Sequence, residues 1–333
     1  MSRDLQKARR SGINERSPQS GVIDDHESSP VHTTPMKRTN VVLPIQYLRG
    51  IAALVVVWHH ARGQLPGLSL LLPNEFGAHG VDLFFVISGF IMVLTTTGKE
   101  ATPWQFFKRR LVRVAPLYWL VTTALVTLTV LAPNLLNTVK PTPGTTLMSL
   151  LFIPHLSIGN PGMVWPILVP GWTLNYEMFF YALFALSLFA PHPLVLLLSI
   201  LAALVAFGQA SWAVADPILT TYTSPLLLEF AVGACIGRLW IAAPPRWRWL
   251  QWRSCGLKAL GDASYSIYLS HMFTLAVLRM MWMRVDSQAS LPIQGFVFMP
   301  ISLALCALVG WAVFRTIERP LLERLSSRRP PRP

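Results

Sequence analysis

Between residues 42 and 317 the chain alternates long apolar runs with short polar connections. Runs at 42–61, 80–97, 114–132, 172–190, 193–209, 224–240, 262–283 and 295–317 approach the ~20 residues that an α-helix needs to cross a bilayer at ~1.5 Å per residue. The pattern predicts an all-α fold, a polytopic transmembrane helical bundle. A ninth run, 146–158, is apolar but short and broken by Pro154. It reads as re-entrant or as half of an extra pair, so the expected number of spans is eight to ten. No internal repeat of the inverted-topology transporter kind is visible.

Ionisable residues inside spans are costly and mark functional sites or water-filled paths. The first run holds Arg49 and ends in His59-His60. Eleven residues at ~100° each make three turns plus about 20°, so Arg49 and His60 share a face about 16 Å apart. His59 falls about 80° off it, which makes His60 the candidate reactive histidine. Asp82 enters the second run near the same outer end, as a helix cap or as a carboxylate orienting the imidazole of His60. Ser88-Gly89 is a small-residue patch suited to close helix contact. Glu177 and Tyr181 lie one turn apart in the fourth run, which suits a structural hydrogen bond. Counted from outside, Glu177 also reaches the depth of His60 and Asp82 and predicts a convergent polar site. Glu229 is a further buried carboxylate without an evident partner. The seventh run places Tyr265, Tyr268 and His271 on neighbouring faces, with Asp262 or Ser264 as candidate caps; His271 is read as a packed, hydrogen-bonded histidine.

Composition and charge settle the compartment. With 53% hydrophobic and 13% charged residues, the chain is too apolar for an ordinary soluble domain. A net charge of +13 would suit nucleic acid, but 22 of the 28 Lys and Arg lie in the N-terminal tail, 98–113, 238–258 and the C-terminal stretch from Arg319. That distribution is the positive-inside bias: both termini are cytoplasmic, and no nucleic-acid partner is expected. Residues 1–40 read as a disordered cytoplasmic tail, 41–320 as the membrane domain and 321–333 as a basic cytoplasmic tail. Cys235, Cys255 and Cys306 suggest no disulfide, and no metal-ligand spacing occurs. Arg110 and Arg113, three apart on one helical face in the cytoplasmic cluster, satisfy the charge bias and also suit phosphate oxygens.

Several motifs, taken in order, resemble the acyltransferase 3 family of integral-membrane O-acyltransferases, most nearly its bacterial exopolysaccharide acetyltransferases of the succinoglycan-production type. They are Arg49-x10-His60, GVDLFFVISGF at 80–90, FFKRRLVRVAPLYW at 106–119, GWTLNYEMFFY at 171–181, GDASYSIYLSH at 261–271 and Glu318-Arg319-Pro320. The resemblance implies transfer of an acyl group, usually acetyl from acetyl-CoA, to a hydroxyl of a glycan or glycolipid acceptor on the far side of the bacterial inner membrane. Polysaccharide-synthesis machinery is the further partner it implies. By resemblance, His60 matches the essential histidine, Arg49 its partner arginine, and Arg110 with Arg113 the pair on the CoA-binding side. Glu177 matches the acidic position of the Trp-Thr-Leu-x-x-Glu segment. In that chemistry cytoplasmic arginines hold the donor phosphates, and His60 is either the general base or a transient acyl carrier. The competing classes are a transporter or flippase of a lipid-linked sugar and a structural subunit of a polysaccharide-synthesis complex.

Overall fold

A computed structural model of the chain describes residues 39–65, 67–68, 77, 79–98, 102–132, 139–210, 216–243, 254–285 and 291–326. Every regular element among these is helical. In order they are α1 (Thr39–Arg62), α2 (His79–Thr96), α3 (Pro103–Leu131), α4 (Pro143–Leu150), a 3₁₀ turn (Val169–Gly171) and α5 (Trp172–Ser187). There follow α6 (Pro193–Gly208), α7 (Pro217–Tyr222), α8 (Leu227–Ala242), α9 (Cys255–Val285), α10 (Leu291–Val313), a π turn (Phe314–Glu318) and α11 (Arg319–Ser326). Each of the eight apolar runs coincides with a helix. The N-terminal tail before residue 39 and the last seven residues lie outside the described residues, and the expected C-terminal tail opens as α11.

Four helical stretches among the described residues are long and apolar enough to cross a bilayer: His79–Thr96, Pro103–Leu131, Pro217–Ala242 and Gly295–Leu325. Large apolar side chains such as Leu131, Phe189, Val195, Leu239 and Phe296 remain on the outside of the bundle. In a membrane protein that perimeter meets lipid, so it carries none of the penalty it would have in water.

Two helix pairs set the frame, and both are built on glycine. A Cβ on Gly89 or Gly233 would stand 2.1 Å from the Phe230 carbonyl and 2.0 Å from that of Val86, so α2 and α8 touch backbone to backbone. Gly50 and Gly261 do the same for α1 and α9, where a Cβ on Gly261 would meet the Gln46 carbonyl at 2.0 Å. One apolar core fills the space among α2, α3, α5, α6 and α8, through the stack Phe85–Phe230–Phe180. A second core lies among α1, α9 and α10, with Val57, Ile267, Leu275 and Phe298.

Two helix starts differ from expectation. Thr102 caps α3 by accepting from the Gln105 amide at 3.2 Å, well before the apolar run begins at 114. Ser254 accepts from the Leu257 amide at 3.3 Å ahead of α9, so neither Asp262 nor Ser264 is its cap; Asp262 instead pairs with Lys258 at 2.7 Å, one turn back. Amphipathic turns continue the helices beyond their apolar stretches.

The segment around 146–158 folds back. Its helix α4, started by a capping box between Thr142 and Thr145, has eight residues and is too short to cross. The chain leaves α4 through Phe152 in a left-handed conformation (φ 59°), and the Phe152 ring stacks on Tyr118 at 5.0 Å. Tyr118 donates to the Ser149 carbonyl at 3.1 Å and Trp119 to that of Leu150 at 2.7 Å. Tyr118 stands halfway along α3, so residues 149–152 pack against the middle of that helix. The 3₁₀ turn is seated equally deep, because Tyr268, near the midpoint of α9, donates to the Pro170 carbonyl at 2.9 Å. Helix α5 therefore starts inside the bundle.

Candidate functional site

The two cores meet at a cavity of about 80 Å³. It is lined by Arg49 from α1, Ser88 from α2, Arg110 and Arg113 from α3, Thr173, Glu177 and Tyr181 from α5, and Tyr265 and Tyr268 from α9. This is room for two or three waters, each with polar partners at hand.

Most of these polar groups are hydrogen-bonded to a neighbour. Arg110 donates through Nη2 to Thr95 Oγ1 at 2.9 Å, and its guanidinium lies 5.6 Å from the centre of the Phe106 ring and 6.0 Å from that of Tyr181. Ser88 Oγ donates to Glu177 Oε1 at 2.9 Å, and Tyr181 donates to the same oxygen. Tyr265 donates to the Val114 carbonyl at 2.7 Å, and Thr173 Oγ1 stands 2.8 Å from the Tyr268 hydroxyl. Glu318, buried just behind, accepts from Ser266 Oγ at 2.5 Å, and its charge acts on Arg113 and Arg49. Glu177 acts on Arg49 as well. Three guanidiniums thus face at most two carboxylates, and the cavity keeps a positive excess. In a low-dielectric surrounding such an excess strongly favours an anion.

His60 lies beyond the cavity wall. The rings of Phe84 and Tyr268, which line the cavity, stand 5.8 Å apart; Tyr268 is 5.8 Å from His271, and His271 is 4.9 Å from His60. His60 Nδ1 is 3.0 Å from the Val56 carbonyl. A carbonyl only accepts, so Nδ1 carries the hydrogen and Nε2 keeps its lone pair, the state required of a base or a nucleophile. His59 stands edge-on to His60 at 5.2 Å and packs against Gly77.

The sequence-selected residues therefore fall into three places. Arg49, Arg110, Arg113 and Glu177 come together in the cavity, and His60 stands next to His271. Asp82 does neither: it pairs with His79 at 2.8 Å and neighbours Glu229, which supplies the partner that carboxylate lacked in the sequence. Two expectations need correction. Asp82 does not hold the imidazole of His60, because the Nδ1 it would need is engaged by Val56. Glu177 lies with the arginines rather than beside His60 and Asp82, because α5 begins deep in the bundle. Thr95, Ser88, Glu318 and His271 were not selected from sequence as site residues; a hydroxyl among apolar residues is a weak signal, whereas Glu318 stood in a motif. Among the described residues there is no group of three potential metal ligands.

Comparison with known proteins gives a consistent result. The family model described as "Acyltransferase domain", of the acyltransferase 3 family, matches residues 43–253. The chain is 35% identical over 303 residues to the exopolysaccharide production protein ExoZ of Rhizobium meliloti (strain 1021), covering 76% of this chain and 92% of that protein. It is 28% identical over 214 residues to the acyltransferase MdmB of Streptomyces mycarofaciens, covering 60% of this chain and 52% of that one. No solved structure matches significantly.

Proposed function

Because the chain belongs to the acyltransferase 3 family and is a membrane acyltransferase, we propose that it moves an acetyl group from cytoplasmic acetyl-CoA to a hydroxyl of an exopolysaccharide or lipid-linked glycan. The acceptor lies at the outer face of the bacterial inner membrane. In this reading eight to ten helices span the membrane, both termini are cytoplasmic, and polysaccharide-synthesis machinery supplies the acceptor.

The observation that carries the donor assignment is the positive excess of the cavity. Arg110 and Arg113 stand on the half of α3 nearest the cytoplasmic connection, and guanidinium forks match phosphate oxygens. With the donor's phosphates on that side, its flexible arm runs past Arg49 toward Tyr268 and Phe84. His60 lies about 16 Å further along α1 than Arg49. There the Nε2 lone pair of His60 draws the proton from the acceptor hydroxyl, or takes the acyl group itself before passing it on. Burial of that chemistry keeps water from competing for the thioester. The acceptor class rests on the likeness to the exopolysaccharide production protein.

The test is transfer of radiolabelled acetyl from acetyl-CoA to a glycan acceptor by the purified chain in lipid nanodiscs. Transfer is expected from the wild type and is abolished in His60→Ala, with the protein still inserted and monodisperse; His59→Ala retains most of it. Near-normal O-acetylation by the His60 variant would overturn the assignment of that histidine. Glycan transport without consumption of acetyl-CoA would overturn the activity.

A further inference from the structure

Helices α1 and α9 run parallel and nearly in register. Tyr47 accepts from the Ser254 amide at 2.8 Å near their beginnings, and the glycine crossing follows at Gly50 and Gly261. Ten residues beyond each glycine stand His60 and His271. Equal steps of ~15 Å along two parallel helices bring both imidazoles to the same level, and their ring centres are 4.9 Å apart.

The two rings are prepared alike. His271 Nδ1 is 2.6 Å from the Tyr268 carbonyl, as His60 Nδ1 is 3.0 Å from that of Val56. Each Nδ1 therefore donates to its own helix, and each Nε2 keeps a lone pair. The Nε2 of His271 is buried with no hydrogen-bond partner, in a side chain that is 0% exposed. An orphaned acceptor in that setting is costly, and a packing role alone would be filled as well by leucine. Of the rings around it, His60 is the nearer, at 4.9 Å between centres against 5.8 Å for Tyr268.

We propose that His271 is a positioning residue for the transfer step, offering its Nε2 lone pair to the proton that His60 Nε2 takes from the acceptor hydroxyl. The inference rests on the reading of His60 as the reactive histidine. In the step, the acceptor O–H bond breaks and an Nε2–H bond forms on His60. The acceptor oxygen bonds to the acyl carbon as the C–S bond of the thioester breaks, and the proton leaves with the CoA sulfur as thiol. His271 neither gains nor loses a bond over the full cycle; it shares the proton while His60 holds it, so the imidazolium is not isolated in an apolar surrounding. The Val56 carbonyl holds Nδ1–H of His60 as a carboxylate does in other acyl-transfer sites, and His271 adds an acceptor on the Nε2 side.

The experiment compares His271→Leu, His271→Gln, His60→Ala and the His60→Ala/His271→Leu double variant in the nanodisc assay, with kcat and both KM values measured. His271→Leu is expected to lower kcat on the order of 100-fold, the low end for a positioned proton-transfer group, with each KM within about twofold of wild type. His271→Gln, whose amide oxygen reaches the position of Nε2, recovers most of that loss. The double variant is no worse than His60→Ala alone. If His271→Leu does not accumulate, His271→Asn, which is too short to reach His60, takes its place. A His271→Leu enzyme at wild-type kcat overturns the proposal, as does a Gln variant as poor as Leu. An active His60→Ala enzyme would instead remove the reading on which the inference rests.

Discussion

The anchoring of Arg110 by Thr95 gives a donor-site test that leaves the transfer chemistry at His60 untouched. The Thr95 hydroxyl gives its one hydrogen to the Ile91 carbonyl of its own helix at 2.8 Å and keeps a lone pair for Arg110 Nη2 at 2.9 Å. Thr95→Val deletes that acceptor at nearly constant shape and leaves the guanidinium held by the faces of Phe106 and Tyr181 and by the charge of Glu177. A hydrogen bond to a charged group contributes about 1.5–3 kcal/mol, and each cation–π contact about 0.5–1 kcal/mol. The side chains are part-buried, so the low end applies. If the bond serves to aim Arg110 at the donor, Thr95→Val raises the Kd for acetyl-CoA about tenfold, which is ~1.4 kcal/mol. Arg110→Ala removes the phosphate contact itself and raises it ~30- to 100-fold. The double variant binds no worse than Arg110→Ala, because Thr95 has then nothing to aim. Calorimetry on the four proteins closes the cycle, with an expected coupling of ~1.4 kcal/mol. Effects that add to within about 0.5 kcal/mol would show that Thr95 and Arg110 act independently and refute the aiming argument.

Two further predictions concern the frame and the direction of transfer. Gly233→Ala places a Cβ 2.0 Å from the Val86 carbonyl, where ordinary contact begins at 3.4 Å, so α2 and α8 must part by over an ångström. Overpacking costs roughly 1–3 kcal/mol, and thermal unfolding in detergent should begin several degrees lower, while Gly256→Ala, in open space, is unchanged; equal midpoints would refute backbone contact at that crossing. For sidedness, Gly63→Cys and Gly256→Cys place thiols at opposite ends of the parallel α1 and α9, both at exposed positions. In a background without the native cysteines, an impermeant reagent is expected to label the first from outside and the second from inside. Labelling of both from one face would refute vectorial transfer.

The existence of the helices was legible because the hydrophobic effect writes each membrane-length helix as an apolar run. Their ends were less legible: α3 opens at Pro103 and α9 at Cys255, since amphipathic turns satisfy their backbone as well as apolar ones do. The helical period put Arg49 and His60 on one face of α1, yet Arg49 lines the cavity while His60 lies beyond its wall beside His271. The place of Glu177 was not legible, because its depth was counted from a surface at which α5 does not begin. That depth is set by tertiary contacts, Tyr118 on Ser149 and Tyr268 on Pro170, which no local pattern encodes. Asp82 was lost to a residue three positions earlier, His79, a pairing the helical period allows and a search for long-range partners overlooks. His271 is packed and hydrogen-bonded as its sequence suggests, buried with Nδ1 on the Tyr268 carbonyl, but only the parallel register of α1 and α9 reveals that His60 stands beside it.

The π turn at Phe314–Glu318 holds one residue more than an α-turn would. A residue is worth about 100° of rotation on a helix. Without the extra one, the side chain at 318 would swing out of the bundle toward the exposed side on which Arg315 and Arg319 stand. The widened turn lets a helix that is apolar through most of its length deliver one carboxylate beside Arg113 and Arg49 and then continue as α11 from Arg319. The electrostatic balance of the cavity is thus written into the length of the chain as well as into its letters: a deletion of one residue in this stretch, nearly silent in composition and hydropathy, would remove a counter-charge from two arginines more than two hundred residues away in sequence.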